Sequence, residues 1–262
     1  MDTLQILTQF YSNYDEEGRL LSRHGQVEYL TTMRYIDQYL QPGMRVLEIG
    51  AATGRYSHTL ARQGYRVDAV ELVQHNIDIF NTLTQPGEDI SIRQGNAKNL
   101  TFFEDETFDM TLLLGPMYHL YTVEEQIQAL SEAIRVTKKG GVIMAAYCGN
   151  DACVVHYGFR NGELLLPESK EMLNRETFML SVSPTLLFQL YRIEDINRLM
   201  DHFQTERLHF VGTDMATKYM QKEIDSMDEE LFDLYLKYHF TICERADMGG
   251  VSHHFLDVFR KL

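Results

Sequence analysis

The chain is short of cysteine and of long apolar runs, and each shortage excludes a class of protein. Cys148, Cys153 and Cys243 are odd in number and form no C-x-x-C pair, so the sequence predicts neither a disulfide framework nor a metal site. No stretch approaches the ~18 consecutive apolar residues of a membrane span, and the N-terminus lacks a signal-type leader. We therefore expect a soluble, cytoplasmic protein with no membrane partner.

Basic residues are also scarce. The 262 residues include 24 Lys and Arg against 38 Asp and Glu, which gives a formal charge of −14. A protein that neutralises several phosphates needs a basic face, and no basic run here is longer than the pair Lys138-Lys139. The composition therefore favours a small-molecule substrate over nucleic acid, and it is compatible with a monomer or a homodimer.

Short apolar runs alternate with helical periodicity over residues 45–147, which is typical of a doubly wound α/β sheet with mostly parallel strands. The sequence thus predicts a seven-stranded, Rossmann-like sheet. Its predicted strands are 45–49, 66–70, 90–92, 108–114, 141–146, 206–211 and 253–259. The predicted domains are an N-terminal helical lid at 1–41, a core at 42–149 and 193–262, and an inserted cap at 150–192.

A glycine-containing turn follows the first predicted strand and directly precedes a helix. Glycines allow a tight turn, and the free N–H groups at the start of a helix attract the negative part of a ligand. The dinucleotide fingerprint G-x-G-x-x-G would need glycines where the chain has Gly50, Ala52 and Arg55. This spacing, and the absence of a Tyr-x-x-x-Lys pair, count against an NAD(P)-dependent oxidoreductase, which stays as the alternative enzyme class.

With Glu48, Gly50 and Gly54, this loop resembles the first motif of the class I S-adenosylmethionine-dependent methyltransferases, which runs acidic-x-G-x-G-x-G. The chain is similar to the small-molecule enzymes of the methyltransferase-11/25-like family, with Ala52 in place of the middle glycine. The resemblance implies that Glu48 orders the loop or meets the cofactor's amino group. The other cofactor contacts that it implies in this loop are Gly50, Ala51, Ala52, Thr53, Gly54 and Tyr56.

Later segments extend the resemblance, which covers residues 40–147 well. Glu71 ends the second predicted strand, where a carboxylate can accept both hydroxyls of an adenosine ribose. Asn96 stands where the family has an acidic residue that contacts adenine, and its side-chain oxygen can still accept a hydrogen bond. The remaining implied contacts are Leu72, Ala97, Leu114 and Gly115. The implied cofactor is S-adenosylmethionine, and the implied product is S-adenosylhomocysteine.

Methyl transfer requires mainly that the acceptor is aligned and water excluded. His119 follows the central strand and is the best-placed candidate for a general base, although a packing role for it is the alternative. Tyr118 beside it is a candidate to stack on the acceptor or bond it and is the second catalytic candidate.

The predicted lid and cap supply further candidates. In similar enzymes the N-terminal segment folds over the cofactor, so the resemblance implies that Tyr14 and Arg23 contact the cofactor and that Arg19 and His24 contact the acceptor. Tyr157 of the cap is a further acceptor contact. The alternatives are a solvated helical face for the N-terminal residues and ordinary core packing for Tyr157.

His253 and His254 are expected on opposite faces of a strand, which argues against a shared metal ion. The sequence therefore predicts a methyltransferase that acts on an unidentified small molecule. A cofactor-binding module without turnover is a further alternative, and the acceptor atom stays open.

Overall fold

A single twisted sheet runs through the computed structural model, which describes residues 3–14, 16–180 and 187–262. In these residues the strands are β1 (Arg45–Ile49), β2 (Arg66–Glu71), β3 (Ile90–Gln94), β4 (Phe108–Leu113), β5 (Thr137–Gly149), β6 (Leu190–Tyr191), β7 (Thr205–Gly212) and β8 (His254–Lys261). Their order is β3-β2-β1-β4-β5-β8-β7, and β6 pairs with β5 off this path. β8 is antiparallel to both β5 and β7, whereas β1 to β5 are mutually parallel.

Helices lie between the strands and ahead of β1. They are α1 (Thr3–Tyr11), α2 (Glu16–Arg19), α3 (Arg23–Tyr39), α4 (Arg55–Arg62), α5 (Gln74–Leu83), α6 (Val123–Val136), α7 (Asn150–Cys153), α8 (Pro167–Met172), α9 (Ile193–Met200), α10 (Gln221–Asp225) and α11 (Glu229–Ile242). The three longest begin at capping side chains, which accept hydrogen bonds from free backbone N–H groups. These caps are Ser22, Thr122 and Asp228.

Both faces of the central strands are buried, which is why those strands read as continuous apolar runs in the sequence. Successive residues point to opposite faces, so Val46 and Leu112 pack in one apolar layer while Leu47 and Leu113 pack in the other. The structure confirms the predicted doubly wound, mostly parallel fold. It adds β6, which is too short for a periodic pattern to predict.

The strand order places a ligand crevice at the sheet's switch point. β2 lies on one side of β1 and β4 on the other, so the chain segments that follow β1 and β4 diverge from the sheet there. Ligands of open α/β sheets bind outside the carboxyl ends of the strands at this point. Among the described residues, none of the helices is long and apolar enough to span a bilayer.

Candidate functional site

A cavity of about 590 Å³ opens at the carboxyl ends of β1, β2, β4 and β5. Its size is within the range of roughly 300–1,000 Å³ that is usual for small-molecule sites. The loop after β1 and the end of β2 form one half of the wall, and the end of β5 and the start of β8 form the other. α1 contributes a cover of five residues, which are Thr3, Leu4, Leu7, Phe10 and Tyr11.

The loop after β1 has a left-handed backbone at three alternate positions. The φ angles are 75° at Gly50, 47° at Ala52 and 92° at Gly54. A Cβ at Gly50 would lie 2.6 Å from Pro116 Cδ, and one at Gly54 would lie 2.4 Å from Phe80 Cδ2. Both outer glycines are therefore required by their neighbours as well as by their backbone, whereas the middle position accepts alanine.

Replacement of Gly54 by alanine is expected to reduce the free energy of unfolding by about 2–4 kcal/mol, because it adds a steric clash to left-handed backbone strain. Gly64 is the matched control, since its φ is 91° and nothing lies within 4 Å of a Cβ built there. Gly64→Ala should cost only about 1 kcal/mol, the backbone contribution alone. Urea unfolding of both variants gives the difference, and equal losses would show that Phe80 moves aside freely.

Glu48 ties the glycine loop to the first turn of α4. The backbone N–H of Ser57 donates to Glu48 Oε2 at 2.9 Å, and the Ser57 hydroxyl donates to the same oxygen. Burial raises the pKa of Glu48 to about 8, and the two hydrogen bonds from Ser57 oppose that shift. Of the two roles that the resemblance implies for Glu48, these contacts support the ordering of the loop.

Glu71 extends from the end of β2 into the cavity wall. Its Oε2 accepts the backbone N–H of Ala52 at 2.9 Å, and its Oε1 accepts that of Val73 at 2.8 Å. Burial raises the pKa of this carboxyl, and the backbone hydrogen bonds oppose the shift. Asn76 Nδ2 also donates to Oε1, in a long contact of 3.4 Å. Each carboxylate oxygen can accept two hydrogen bonds, so Oε2 retains one open position, and a ligand's hydroxyl group can replace the long Asn76 contact at Oε1.

Most of the residues predicted to bind a cofactor lie on this cavity. They are Tyr14, Glu48, Gly50, Ala51, Ala52, Thr53, Tyr56, Glu71, Leu72, Asn96, Ala97, Leu114 and Gly115. Gly54 is absent from the wall and acts through the turn. Arg23 also lies elsewhere, because it donates to the Asp228 carbonyl at 2.8 Å and covers the ring of Phe232.

Of the residues predicted to contact the acceptor, Arg19, Tyr118 and Tyr157 line the cavity and His24 does not. His24 Nδ1 lies 2.7 Å from Asp225 Oδ2 in α10. The Ser22 cap fixes where α3 begins, and this start turns the side chains of its first two residues towards α10 and α11. The structure thus corrects the predicted roles of Arg23 and His24.

His119 lines the cavity, but both of its ring nitrogens are bonded. Nδ1 donates to the Leu187 carbonyl at 2.8 Å, so Nε2 is the acceptor for the hydroxyl of Tyr11 at 2.8 Å. Burial lowers the pKa of His119 to about 4. His119 therefore holds α1 over the cavity, and its geometry supports the packing role rather than the predicted role as general base.

His253 and His254 both line the cavity, but their rings contact different neighbours. His253 precedes β8, so strand alternation does not apply to it. His254 Nδ1 lies 2.8 Å from Asp214 Oδ2 and 3.4 Å from Glu28 Oε2, and Glu28 is 2.9 Å from Arg19. The charges of these groups balance one another.

His253 is one of the cavity residues that the sequence did not predict. Both of its ring nitrogens are buried and without a hydrogen-bond partner. No local signal predicts this, because the surroundings of the ring come from distant segments of the chain.

Comparison with known proteins agrees with this site. Residues 47–145 match the family described as methyltransferase domain. The chain is 31% identical over 128 residues to the ubiquinone biosynthesis O-methyltransferase of Methylocella silvestris, which is 48% of each chain. It is 26% identical over 145 residues to the demethylmenaquinone methyltransferase of Lysinibacillus sphaericus, or 53% of this chain and 59% of that one. The chain thus spans about half the length of these relatives.

Solved structures share the fold over nearly the whole chain. A SAM-dependent methyltransferase from Methanosarcina mazei superposes with a TM-score of 0.58 at 20% identity, covering 87% of this chain and 97% of that one. The geranyl diphosphate C-methyltransferase of Streptomyces coelicolor A3(2) gives 0.64 at 12% identity, covering 100% and 98%.

The fold, the glycine loop and these matches define the class: the protein has a class I S-adenosylmethionine-dependent methyltransferase domain, as the sequence predicts. Within that class, the match to the methyltransferase-domain family extends over residues 47–145.

Proposed function

We propose that the protein binds S-adenosylmethionine in this cavity and transfers its methyl group to a small molecule. The observation that supports this most strongly is the position of Glu71, whose carboxylate shares one cavity wall with the loop of Gly50 and Ala52. When bound, the cofactor supplies a methyl carbon that its sulfonium makes electrophilic. The role of the protein is to bind the cofactor and the acceptor, to orient them and to exclude water.

The residues present fit such a cofactor. Glu71 accepts one ribose hydroxyl at the open position of Oε2 and a second at Oε1, in place of the 3.4 Å contact from Asn76. Asn96 Oδ1 accepts the backbone N–H of Lys98 at 3.0 Å and, in this proposal, also an adenine amino group through its second lone pair. The loop from Gly50 to Gly54 permits close approach of the methionine part.

The half of the cavity next to β5 and β8 is the proposed acceptor site. Its wall is largely apolar or aromatic, with Tyr118, Tyr157, Phe188 and Leu190 among its residues. The names of two relatives point to quinone-type acceptors, and an aromatic wall is compatible with that class. The cover of α1, held by Tyr11 on His119, shields this half from water.

An oxidoreductase fits less well. Arg55 occupies the position where a dinucleotide fold has its third glycine, and its guanidinium stacks at 4.8 Å over the ring of Tyr29. The side chain therefore belongs to the packing between α3 and α4.

Titration calorimetry tests the proposal directly. The expected result is micromolar binding of S-adenosylmethionine and S-adenosylhomocysteine, with no heat from NADH. A screen of small acceptors with radiolabelled methyl donor then measures turnover. Binding of NADH alone would overturn the proposal, whereas cofactor binding without any methylated product would leave a binding module.

A further inference from the structure

His253 has an unusual position for a buried polar side chain. It is 3% exposed, it lines the cavity, and neither Nδ1 nor Nε2 has a hydrogen-bond partner. Of the described side chains with a buried, unpartnered polar atom, one other lines this cavity, and that is Arg55. Buried polar groups nearly always have partners, so a ring that lacks both on a cavity wall points to a ligand.

The ring of His253 is fixed although its nitrogens are unbonded. Its centroid lies 5.1 Å from that of Tyr219 and 5.2 Å from that of His156. Its backbone N–H donates to Asp214 Oδ1 at 2.8 Å, which anchors the main chain. The imidazole is therefore held at one place on the wall, which is what alignment of a reacting group requires.

The surroundings of His253 keep the ring neutral. Burial lowers the pKa of His253 to about 4, the charge of Asp214 opposes that shift, and the charges of His254, His156 and Lys218 add to it. The rings of Tyr157 and Tyr219, which are also titratable, pack against the imidazole. A neutral imidazole has one nitrogen that can accept a hydrogen bond or a proton.

His253 lies on the acceptor half of the cavity. Its neighbour His254 pairs with Cys148 at the carboxyl end of β5. Glu71 lies at the end of β2, and β1 and β4 separate β2 from β5 in the sheet. A cofactor held by Glu71 and the ring of His253 thus belong to opposite halves of one cavity, as donor and acceptor must.

We propose that His253 accepts the proton of a hydroxyl group, so that the atom methylated by this protein is an oxygen. The inference rests on the proposed methyl transfer. As the acceptor oxygen bonds to the methyl carbon, the carbon–sulfur bond breaks and its electron pair remains on sulfur. The O–H proton passes to an imidazole nitrogen, which gives a methyl ether, a thioether and an imidazolium that later releases its proton to solvent.

The weak basicity of His253 favours oxygen over nitrogen. A protonated ether is far more acidic than an imidazolium, so even a ring of lowered pKa takes its proton readily. An alkylammonium is a much weaker acid and would retain its proton beside this ring. A base of this strength is therefore matched to a hydroxyl acceptor.

Two variants isolate the nitrogens of His253, and one controls for its surroundings. His253→Phe retains a ring without nitrogen, and His253→Gln retains a neutral hydrogen-bond acceptor. His156→Phe is the matched control, because His156 also has an unpartnered ring nitrogen and packs on His253 but is not on the cavity wall.

The first readout is binding, measured on the full chain saturated with S-adenosylhomocysteine and labelled with ¹⁵N in its histidines. Phenol at millimolar concentration should shift the ring nitrogens of His253, and anisole, which has no O–H to donate, should not. The His253→Phe spectrum identifies the resonances. Phenol that leaves the His253 nitrogens unmoved would overturn the inference.

The second readout is turnover with phenol, benzylamine and thiophenol as acceptors. We expect methylation of the hydroxyl compound, with kcat about 10²–10⁴-fold lower in His253→Phe and KM changed little, because a base acts in the transition state. The kcat of His253→Gln should lie between those of the wild type and His253→Phe. The kcat of His156→Phe should remain within a few-fold of the wild type. Transfer to benzylamine or thiophenol at a rate that His253→Phe leaves unchanged would contradict oxygen as the acceptor.

Failure of the proposed function itself would look different. Wild-type protein that binds neither S-adenosylmethionine nor S-adenosylhomocysteine in the calorimeter would refute the methyltransferase activity. Protein that binds both, yet shows no response of His253 to phenol, would refute only the role of His253.

Discussion

Glu71→Ala is expected to weaken the binding of S-adenosylmethionine by about 100-fold or more. The substitution removes the carboxylate that we assign to two ribose hydroxyls, and hydrogen bonds to a charged group contribute roughly 1.5–3 kcal/mol each. It also removes the acceptor of the Ala52 and Val73 N–H groups, so the loop after β1 loses its tie to β2. Both effects act in the same direction on affinity.

Calorimetric titration of three variants checks this. Glu71→Gln retains one carbonyl oxygen and should lose about 10-fold, because a neutral acceptor forms weaker bonds than a charged one. Glu124→Ala is the control, since Glu124 is exposed at the start of α6 and does not line the cavity. An unchanged dissociation constant in Glu71→Ala would refute the assignment of the ribose.

The fold was predictable because its decisive features are local in the sequence. β1 and β4 are buried on both faces, so each reads as an apolar run. Gly50 and Gly54 mark the positions in the loop after β1 where the backbone is left-handed. Glu71 follows this loop at the spacing expected for a residue that binds ribose. β6 was not predictable, since two residues carry no periodicity and its pairing with β5 depends on the tertiary structure.

The cofactor half of the site was predictable from the sequence, whereas much of the acceptor half was not. The cofactor half consists of residues that directly follow strands, so topology brings them together. The orientation of Arg23 and His24 depends on contacts with α10 and α11, which lie about 200 residues later. His119 has the residue type of a base, but its partners Tyr11 and Leu187 are distant in the sequence.

The second large effect is expected at Asp214, which is buried beside the acceptor half of the cavity. Its carboxylate accepts hydrogen bonds from the Ser252 hydroxyl at 2.7 Å, the His253 backbone N–H at 2.8 Å and His254 Nδ1 at 2.8 Å. Burial alone would raise the pKa of Asp214, but the charge and the hydrogen bond of His254 outweigh it and lower that pKa below its ordinary value. The carboxylate is therefore ionised in the folded protein.

His254 is the cation that forms an ion pair with this carboxylate. Burial alone would lower the pKa of His254, whereas Glu28 and Asp214 raise it well above its ordinary value. Asp214→Ala would leave the imidazolium with Glu28, which Arg19 already engages through two hydrogen bonds. Removal of one partner from a buried ion pair costs about 3–5 kcal/mol, and we expect that loss in the free energy of unfolding at neutral pH.

The pH dependence of this loss distinguishes an ionic role from simple packing. Because the folded pKa of His254 is raised, its stabilisation is present below 6.5 and is lost as the pH rises through the folded value. Because the folded pKa of Asp214 is lowered, its stabilisation is present above 3.8 and is lost as the pH falls through the folded value. Urea unfolding should therefore show the largest difference between wild type and Asp214→Ala between pH 3.8 and 6.5, with convergence in strong acid and strong base. Asp233→Ala, at an exposed position of α11, should follow the wild type throughout. A difference that stays constant from acid to base would show that Asp214 stabilises the fold through its shape rather than its charge.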